Sequence, residues 1–344
     1  MFPIVPPTGP FLIKTSIFGF PLEVRWYGVL IIGGAMIAAW VASKRADRRG
    51  YNPEDVWNLL LLGLVLGILC ARIYYVAFQW ELYAGRPFLE IINPQGGGLA
   101  IHGAIIGAVI ATVIYTRIQK LPLIEWIDIC LPTMLIGQSI GRWGNFFNQE
   151  AYGRPTTLPF GVQIEEQYRQ DPFRDMQQYP PETLFHATFL YESIWNIAGF
   201  GLIIWLEKRL KGWWRTGDSA LMYAIVYGAG RFWIEGLRID SLCVVGTGGD
   251  CAGTWRIAQV MSLVLFLGGI LFMILNHRRQ LWANEIAERS GVVPIPWSVA
   301  HPEGSGSSRS KQNQTDTEPK DKDESESASE SESSADSNSA DSGD

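Results

Sequence analysis

The chain has little with which to hold a metal or build a disulfide scaffold. Four cysteines and four histidines are spread over 344 residues, and none has the Cys/His spacing of a zinc site. No glycine-rich loop leads into the Lys-Ser/Thr pair of a phosphate-binding loop. Charge is scarce, at 18% of residues. Residues 1–26 lack the basic start and small-residue cleavage site of an export leader, so no cleavage is expected. No aromatic or large aliphatic residue follows Pro302. Zinc modules and P-loop enzymes are thereby set aside.

The formal charge of −6 conceals two regions. From Glu303 to Asp344 there are twelve Asp or Glu and four Lys or Arg, a net of −8, which leaves +2 for residues 1–302. The segment 303–344 cannot bury enough apolar surface to offset its ordering entropy and is expected to be a disordered acidic tail.

The body carries what the tail lacks. Hydrophobic runs at 27–43, 56–78, 99–116, 123–140, 188–206, 219–237 and 256–276 approach the ~20 residues that cross a bilayer. Each must be helical, because lipid offers backbone groups no partner. The expected fold is therefore an all-α integral membrane protein of about seven transmembrane helices. Lys44, Arg45, Arg48, Arg49, Arg117, Lys120, Lys208, Arg209, Lys211, Arg215, Arg278 and Arg279 fall in alternate connections. By the positive-inside bias the N-terminus lies outside and the C-terminus is cytoplasmic. The expected organisation is an outer-surface segment at 1–26, a membrane domain at 27–280, a juxtamembrane segment at 281–302 and the tail. The connection 141–187, with Pro155, Pro159, Pro172, Pro180 and Pro181, reads as a small irregular extracytoplasmic head.

Small-residue pairs at Gly63/Gly67, Gly103/Gly107 and Gly137/Gly141 suit close helix packing. Cys70 and Cys130 lie within spans as apolar fillers. Cys243 and Cys251 share an outer loop, where they either form a disulfide or stay as two thiols.

Ionisable residues in membrane helices are functional candidates. With this topology Tyr27, Arg72, His102, Gln138, Arg142, His186, Glu192, Tyr227, Arg231, Glu235 and Arg238 all reach the outer half, whereas the inner half looks nearly bare apart from Glu125 and Asp128. Tyr227, Arg231, Glu235 and Arg238 fall on one helical face within ~80°. Arg231 and Glu235 can pair at i, i+4, either to orient a guanidinium toward a phosphate or as a structural ion pair. The four arginines outnumber Glu150, Glu192 and Glu235, which favours an anionic lipid headgroup. His102 is either a structural hydrogen-bonding residue or a base, since an imidazole can take a proton near neutral pH.

The densest polar cluster is Gly141-Arg142-Trp143-Gly144-Asn145-Phe146-Phe147-Asn148-Gln149-Glu150-Ala151-Tyr152-Gly153, at an outer span end. It resembles the pattern G-R-x-G-N-F-x-N-x-E-x-x-G of bacterial prolipoprotein diacylglyceryl transferases, and every fixed position matches. The Arg25-Trp26-Tyr27-Gly28 opening, the Gly98–Gly103 histidine stretch, Leu190-Tyr191-Glu192 and the Tyr227–Glu235 segment resemble the family in the same order. Two departures stand out. Phe185-His186-Ala187 replaces the family's Arg-His-Pro, and the loop from Cys243 to Cys251 is longer than usual.

The resemblance implies that diacylglyceryl moves from phosphatidylglycerol to the lipobox cysteine of a prolipoprotein. A thioether forms and glycerol phosphate leaves. It places the site near the outer leaflet of the bacterial cytoplasmic membrane, with membrane lipids around it. No metal or other cofactor and no nucleic acid is expected. His102 is the expected base, with Tyr27 and the lipid phosphate open as other proton acceptors. Arg142 and Arg231 would meet the charge on the leaving phosphate. Tyr27, Asn145, Asn148, Glu150, Gly153, Tyr227, Glu235 and Arg238 would bind and orient the headgroup. An anionic-lipid transporter or scramblase would also place polar groups among helices, but needs a path through both leaflets. A phosphatidyl-alcohol transferase needs an aspartate cluster that is absent here. A structural scaffold leaves the outer polar layer unexplained.

Overall fold

A computed structural model describes residues 3–7, 9–17, 20–93, 97–244, 251 and 254–289. The acidic tail at 303–344 lies outside the described residues, as does all of the juxtamembrane segment beyond Arg289. The long helices are α1 (Trp26–Arg48), α2 (Glu54–Phe78), α4 (Ile101–Ile118), α7 (Thr188–Arg209), α8 (Asp218–Leu237) and α9 (Ile257–Arg289). Between them come the short α3 (Phe88–Ile92) and the pair α5 (Leu123–Cys130) and α6 (Met134–Asn148), bent by 41° at their junction. The predicted spans coincide one for one with α1, α2, α4, α5–α6, α7, α8 and α9.

Five of these helices are long and apolar enough to cross a membrane, and the bent pair makes a sixth when taken as one span. The remaining one, α8, is 20 residues long and is interrupted by Arg231 and Glu235. Burial runs opposite to that of a water-soluble bundle. Ile32, Leu61, Leu64, Val109 and Leu267 are exposed, whereas Ala39, Ala42, Ala46 and Ala111 are buried. Large aliphatic residues thus face outward where lipid solvates them, and small residues let the backbones approach. The chain is a multi-pass helical membrane protein.

The helices pack as α2 on α4, α1 on α6, α6 on α7, α7 on α8 and α8 on α9. At the α2–α4 seam Gly103 lies against the backbone of Cys70 and Ala71, and Gly107 against that of Leu66 and Gly67. Any side chain at these two positions would strike main chain. Gly137 meets Gly34 across the α1–α6 seam, whereas Gly63 faces open space. Only part of the expected small-residue pairing is therefore an interhelical contact.

Two features refine the all-α expectation. The outer-surface segment forms a hairpin of β1 (Phe11–Ile17) and β2 (Phe20–Arg25) leading directly into α1. Ahead of it, Ile4 pairs with β3 (Val162–Gln163), which pairs in turn with β4 (Leu184–Phe185). The start of the N-terminal segment is thus tied to the head by a single bridge. The head has its own core of Tyr152, Val162, Ile164, Phe173, Phe185 and Ala187, joined by Phe189 of α7 and by Ile239 beyond α8. Its long connections are gathered by Arg169, wholly buried, which donates to the carbonyls of Ile164, Tyr179, Pro180 and Pro181.

The half expected to be nearly bare is not bare. At the end of the bundle away from the head, Arg45 donates to the carbonyls of Asp128 and Ile129 and pairs with Glu207 at 3.0 Å. Asp128 accepts from the amides of Gly217 and Ala220 at the start of α8. Asp218 accepts from the Arg215 amide, from Asn276 and from His277. These groups close helix ends that would otherwise leave carbonyls or amides unsatisfied. Sequence depth alone does not separate such caps from a lipid path.

Gly107→Leu is expected to destabilise the protein by about 1–3 kcal/mol through overpacking, whereas Gly63→Leu is neutral. Thermal unfolding of the two purified variants checks this, and equal melting temperatures would contradict the close α2–α4 seam.

Candidate functional site

The polar block occupies the end of α6 that meets the head. Arg142 and Asn145 are three residues apart and share a helix face, and Arg142 Nη1 donates to Asn145 Oδ1 at 3.4 Å. Beyond the helix the chain reverses through Gln149, which is in the left-handed region with φ 52°. The reversal brings the Glu150 carboxylate back over α6. Its Oε1 accepts from Asn145 Nδ2 at 2.9 Å and from Asn148 Nδ2 at 3.1 Å. Gly153 forms a bridge with Arg238 and lies 2.7–2.9 Å, measured from where a Cβ would stand, from His186 and the Leu237 carbonyl. A side chain there would push the head off α8.

Two further helices complete the site. Glu192, in the second turn of α7, is buried and pairs with Arg142 Nε through one oxygen. Its other oxygen takes Arg231 Nη1 of α8 at 2.6 Å. Arg231 Nη2 reaches Glu235 at 2.6 Å, one turn on. Arg238 stands 3.9 Å from the same Glu235 oxygen and is held in a two-point pair by Asp240, at 2.8 and 2.6 Å. The result is an alternating row of Arg142, Glu192, Arg231, Glu235, Arg238 and Asp240. Burial alone would raise the Asp240 carboxyl, but the hydrogen bond and charge of Arg238 hold it below its ordinary value.

The supports of this row are also polar. Ser139 of α6 and Ser193 of α7 share a hydrogen bond at 2.7 Å, and Trp143 Nε1 donates to Ser193. Trp195 Nε1 donates to the Val226 carbonyl of α8, with its ring against Gly230. These contacts fix α6, α7 and α8 around Glu192.

The remaining expected site residues fall into two groups. Tyr27 lies with its ring against Gly144, so it belongs to the wall of the block. Tyr227 stacks on Tyr223 at 5.7 Å, one turn before Arg231. His102 stands apart: it is exposed in the first turn of α4 and stacks on Tyr74 of α2 at 5.8 Å. Arg72, counted in the sequence as part of a cationic surplus, is buried and donates to the carbonyls of Glu90, Ile91, Gly97 and Gly98. It holds the connection around α3 and is not part of the row. The row itself balances three arginines against three carboxylates, so the expected surplus is not its basis for taking an anion. What it offers are donors: Arg142 Nη2 and Arg231 Nε make no hydrogen bond among the described residues.

Glu192 and Asp240 gain their roles only in three dimensions. Glu192 is legible in the sequence as one acid among three, and nothing there shows that it joins two arginines from different helices. His186 sits behind Gly153 with Nδ1 3.2 Å from the Tyr191 hydroxyl, and burial lowers its imidazole below the ordinary value. Cys243 and Cys251 are joined in a disulfide in the connection from α8 to α9.

Fold and row together define a multi-pass membrane protein with a guanidinium–carboxylate site where three helices meet a small head. A family model described as prolipoprotein diacylglyceryl transferase matches residues 15–275. A phosphatidylglycerol–prolipoprotein diacylglyceryl transferase of Chloroflexus aggregans is 56% identical over 283 residues, covering 80% of this chain and 92% of the relative. Proteins of the same name from Prochlorococcus marinus and Bacillus cytotoxicus are 41% and 40% identical, over 73% and 78% of this chain and 86% and 94% of their own lengths. The chain belongs to the prolipoprotein diacylglyceryl transferase family.

Removing one partner of a buried pair leaves the others uncompensated, at a cost of about 3–5 kcal/mol. Glu192→Ala is therefore expected to lower the melting temperature of the purified protein clearly more than Asp240→Asn does. A Glu192→Ala variant as stable as the parent would contradict the shared-carboxylate geometry.

Proposed function

We infer that this enzyme transfers the diacylglyceryl group of phosphatidylglycerol to the lipobox cysteine of a prolipoprotein, the first step of bacterial lipoprotein maturation. The observation that carries the reading is the Arg142–Glu192–Arg231 arrangement. It is built on a fully matched family block, at the end of a lipid-facing bundle. Basic residues gather at the opposite end, which supports placing the site toward the outer leaflet of the cytoplasmic membrane. The disulfide near the row's own end fits an oxidising compartment there.

The chemistry needs a thiolate, since the thiol is a poor nucleophile. Its sulfur attacks the glycerol carbon that carries the phosphate ester. The C–S bond forms, the C–O bond breaks, and the electron pair goes to the departing glycerol phosphate. That oxygen gains negative charge as the bond breaks. Arg142 Nη2 and Arg231 Nε are the donors positioned to meet it, and Glu192 keeps both guanidiniums in register. Asn145, Asn148 and Glu150 position the glycerol headgroup, with Tyr27 and Tyr227 beside it. Glu235 and Arg238 extend the wall, and Gly153 keeps head and α8 in contact.

The thiol proton needs an acceptor as the C–S bond forms. His102 of α4 is the side chain we assign to take it.

The direct test is incubation of the purified protein with phosphatidylglycerol and a lipobox peptide. The peptide gains the mass of one diacylglyceryl group; no gain, with lipid flipping intact, would favour transport instead. Arg142→Ala and Arg231→Ala are each expected to lower transfer by on the order of 10²–10³ while the protein stays in the membrane, and full activity in either would defeat the leaving-group role. His102→Gln is expected to lose activity less at high pH, where the thiol ionises unaided. A loss of equal size across a pH series would assign His102 a structural role.

A further inference from the structure

The end of α6 closes as helices usually close on a glycine. Gln149 N donates to the Phe146 carbonyl at 3.1 Å and Glu150 N to the Asn145 carbonyl at 3.0 Å, the paired bonds of a Schellman turn. The residue between them must be left-handed, a conformation that L side chains enter only at a cost. Here it is a glutamine, with φ 52° and ψ 41°.

Something must hold a glutamine in that place. Gln149 is 1% exposed, and both ends of its amide are engaged by a single residue of the head. Its Nε2 donates to Glu165 Oε1 at 2.8 Å, and its Oε1 accepts from the Glu165 amide at 2.9 Å. Two positions on, Ala151 is left-handed as well, with φ 58°, and its carbonyl accepts from Thr188 Oγ1 of α7. Glu150 therefore stands between two left-handed residues, one tied to the head and one tied to α7. That double constraint turns its carboxylate back onto Asn145 and Asn148, and Asn145 in turn accepts from Arg142.

We propose that Gln149 and Glu165 are positioning residues. Their clasp fixes the turn, the turn sets Glu150, and Glu150 sets Asn145 and Arg142. Glu165 thus acts on the reaction through the turn, not by contact with the reacting atoms. The proposal rests on the reading of the Arg142–Glu150 block as the headgroup site.

Steady-state kinetics of the purified full chain test it, with phosphatidylglycerol and lipobox peptide varied in turn. Glycine enters the left-handed region freely, so Gln149→Gly keeps both KM values and kcat within about threefold of the parent. Gln149→Val loses the clasp and is β-branched. Its KM for phosphatidylglycerol rises roughly tenfold or more, toward the ~10²-fold loss that small misplacements cause, while its KM for the peptide is unchanged. A merely structural role would lower the folded fraction, and so the apparent kcat, and would move neither KM.

If Gln149→Val is not recovered folded, Glu165→Ala, which removes the acceptor of Gln149 Nε2, carries the same expectation. Glu165→Gln keeps an acceptor and the backbone amide, and restores the parent values. Parent kinetics in the valine and alanine variants would overturn the proposal, as would equal damage in Gln149→Gly and Gln149→Val. Parent kinetics in Glu150→Gln would instead remove the underlying reading of the block, which separates the two failures.

Discussion

One buried carboxylate organises the site. Glu192 of α7 binds Arg142 of α6 with one oxygen and Arg231 of α8 with the other. Two guanidiniums repel, and neither belongs naturally in an apolar bundle. A shared anion between them offsets both penalties at once. It also leaves each arginine with an N–H group that makes no hydrogen bond among the described residues, which a phosphate can use. The geometry demands that three helices from distant parts of the chain arrive at one point in fixed rotation.

The rest of the fold meets that demand with small residues and side-chain seams. Ser139 and Ser193 join α6 to α7, and Trp195 with Gly230 joins α7 to α8. Gly34 and Gly137 let α1 approach α6, which brings Tyr27 against Gly144. The head then closes the site from above. Gly153 bridges to Arg238, and the paired left-handed residues Gln149 and Ala151 return the chain over α6. At the far end Asp128 and Asp218 close the start of α8, so the helix that carries Arg231 is anchored at both ends.

Much of this was legible in the residues, for physical reasons. Long apolar runs must be helical in lipid, and each predicted span falls on a helix or, at 123–140, on the bent pair α5–α6. The block at 141–153 announces itself because a helix end needs one cap, not four polar side chains. Legibility failed where the partner of a charge is backbone. Arg72 and Asp128 read as intramembrane charges, yet they serve carbonyls of one loop and amides of one helix start. Their depth resembles that of Arg231, and only geometry separates them. The N-terminal hairpin was equally hidden, because a short segment beside a membrane has too weak a pattern to be told from a surface coil. Gln149 shows the limit most clearly: nothing in its identity signals a left-handed turn that glycine would normally occupy.

The claim that Glu192 makes Arg142 and Arg231 one unit is tested most directly by a double-substitution cycle. Lysine keeps the charge at each position but cannot reproduce the two-sided guanidinium geometry. Measured as kcat/KM for diacylglyceryl transfer, Arg142→Lys, Arg231→Lys and the double variant should be strongly non-additive, the double losing little more than either single change. Losses that simply multiply would show two independent arginines and contradict the account.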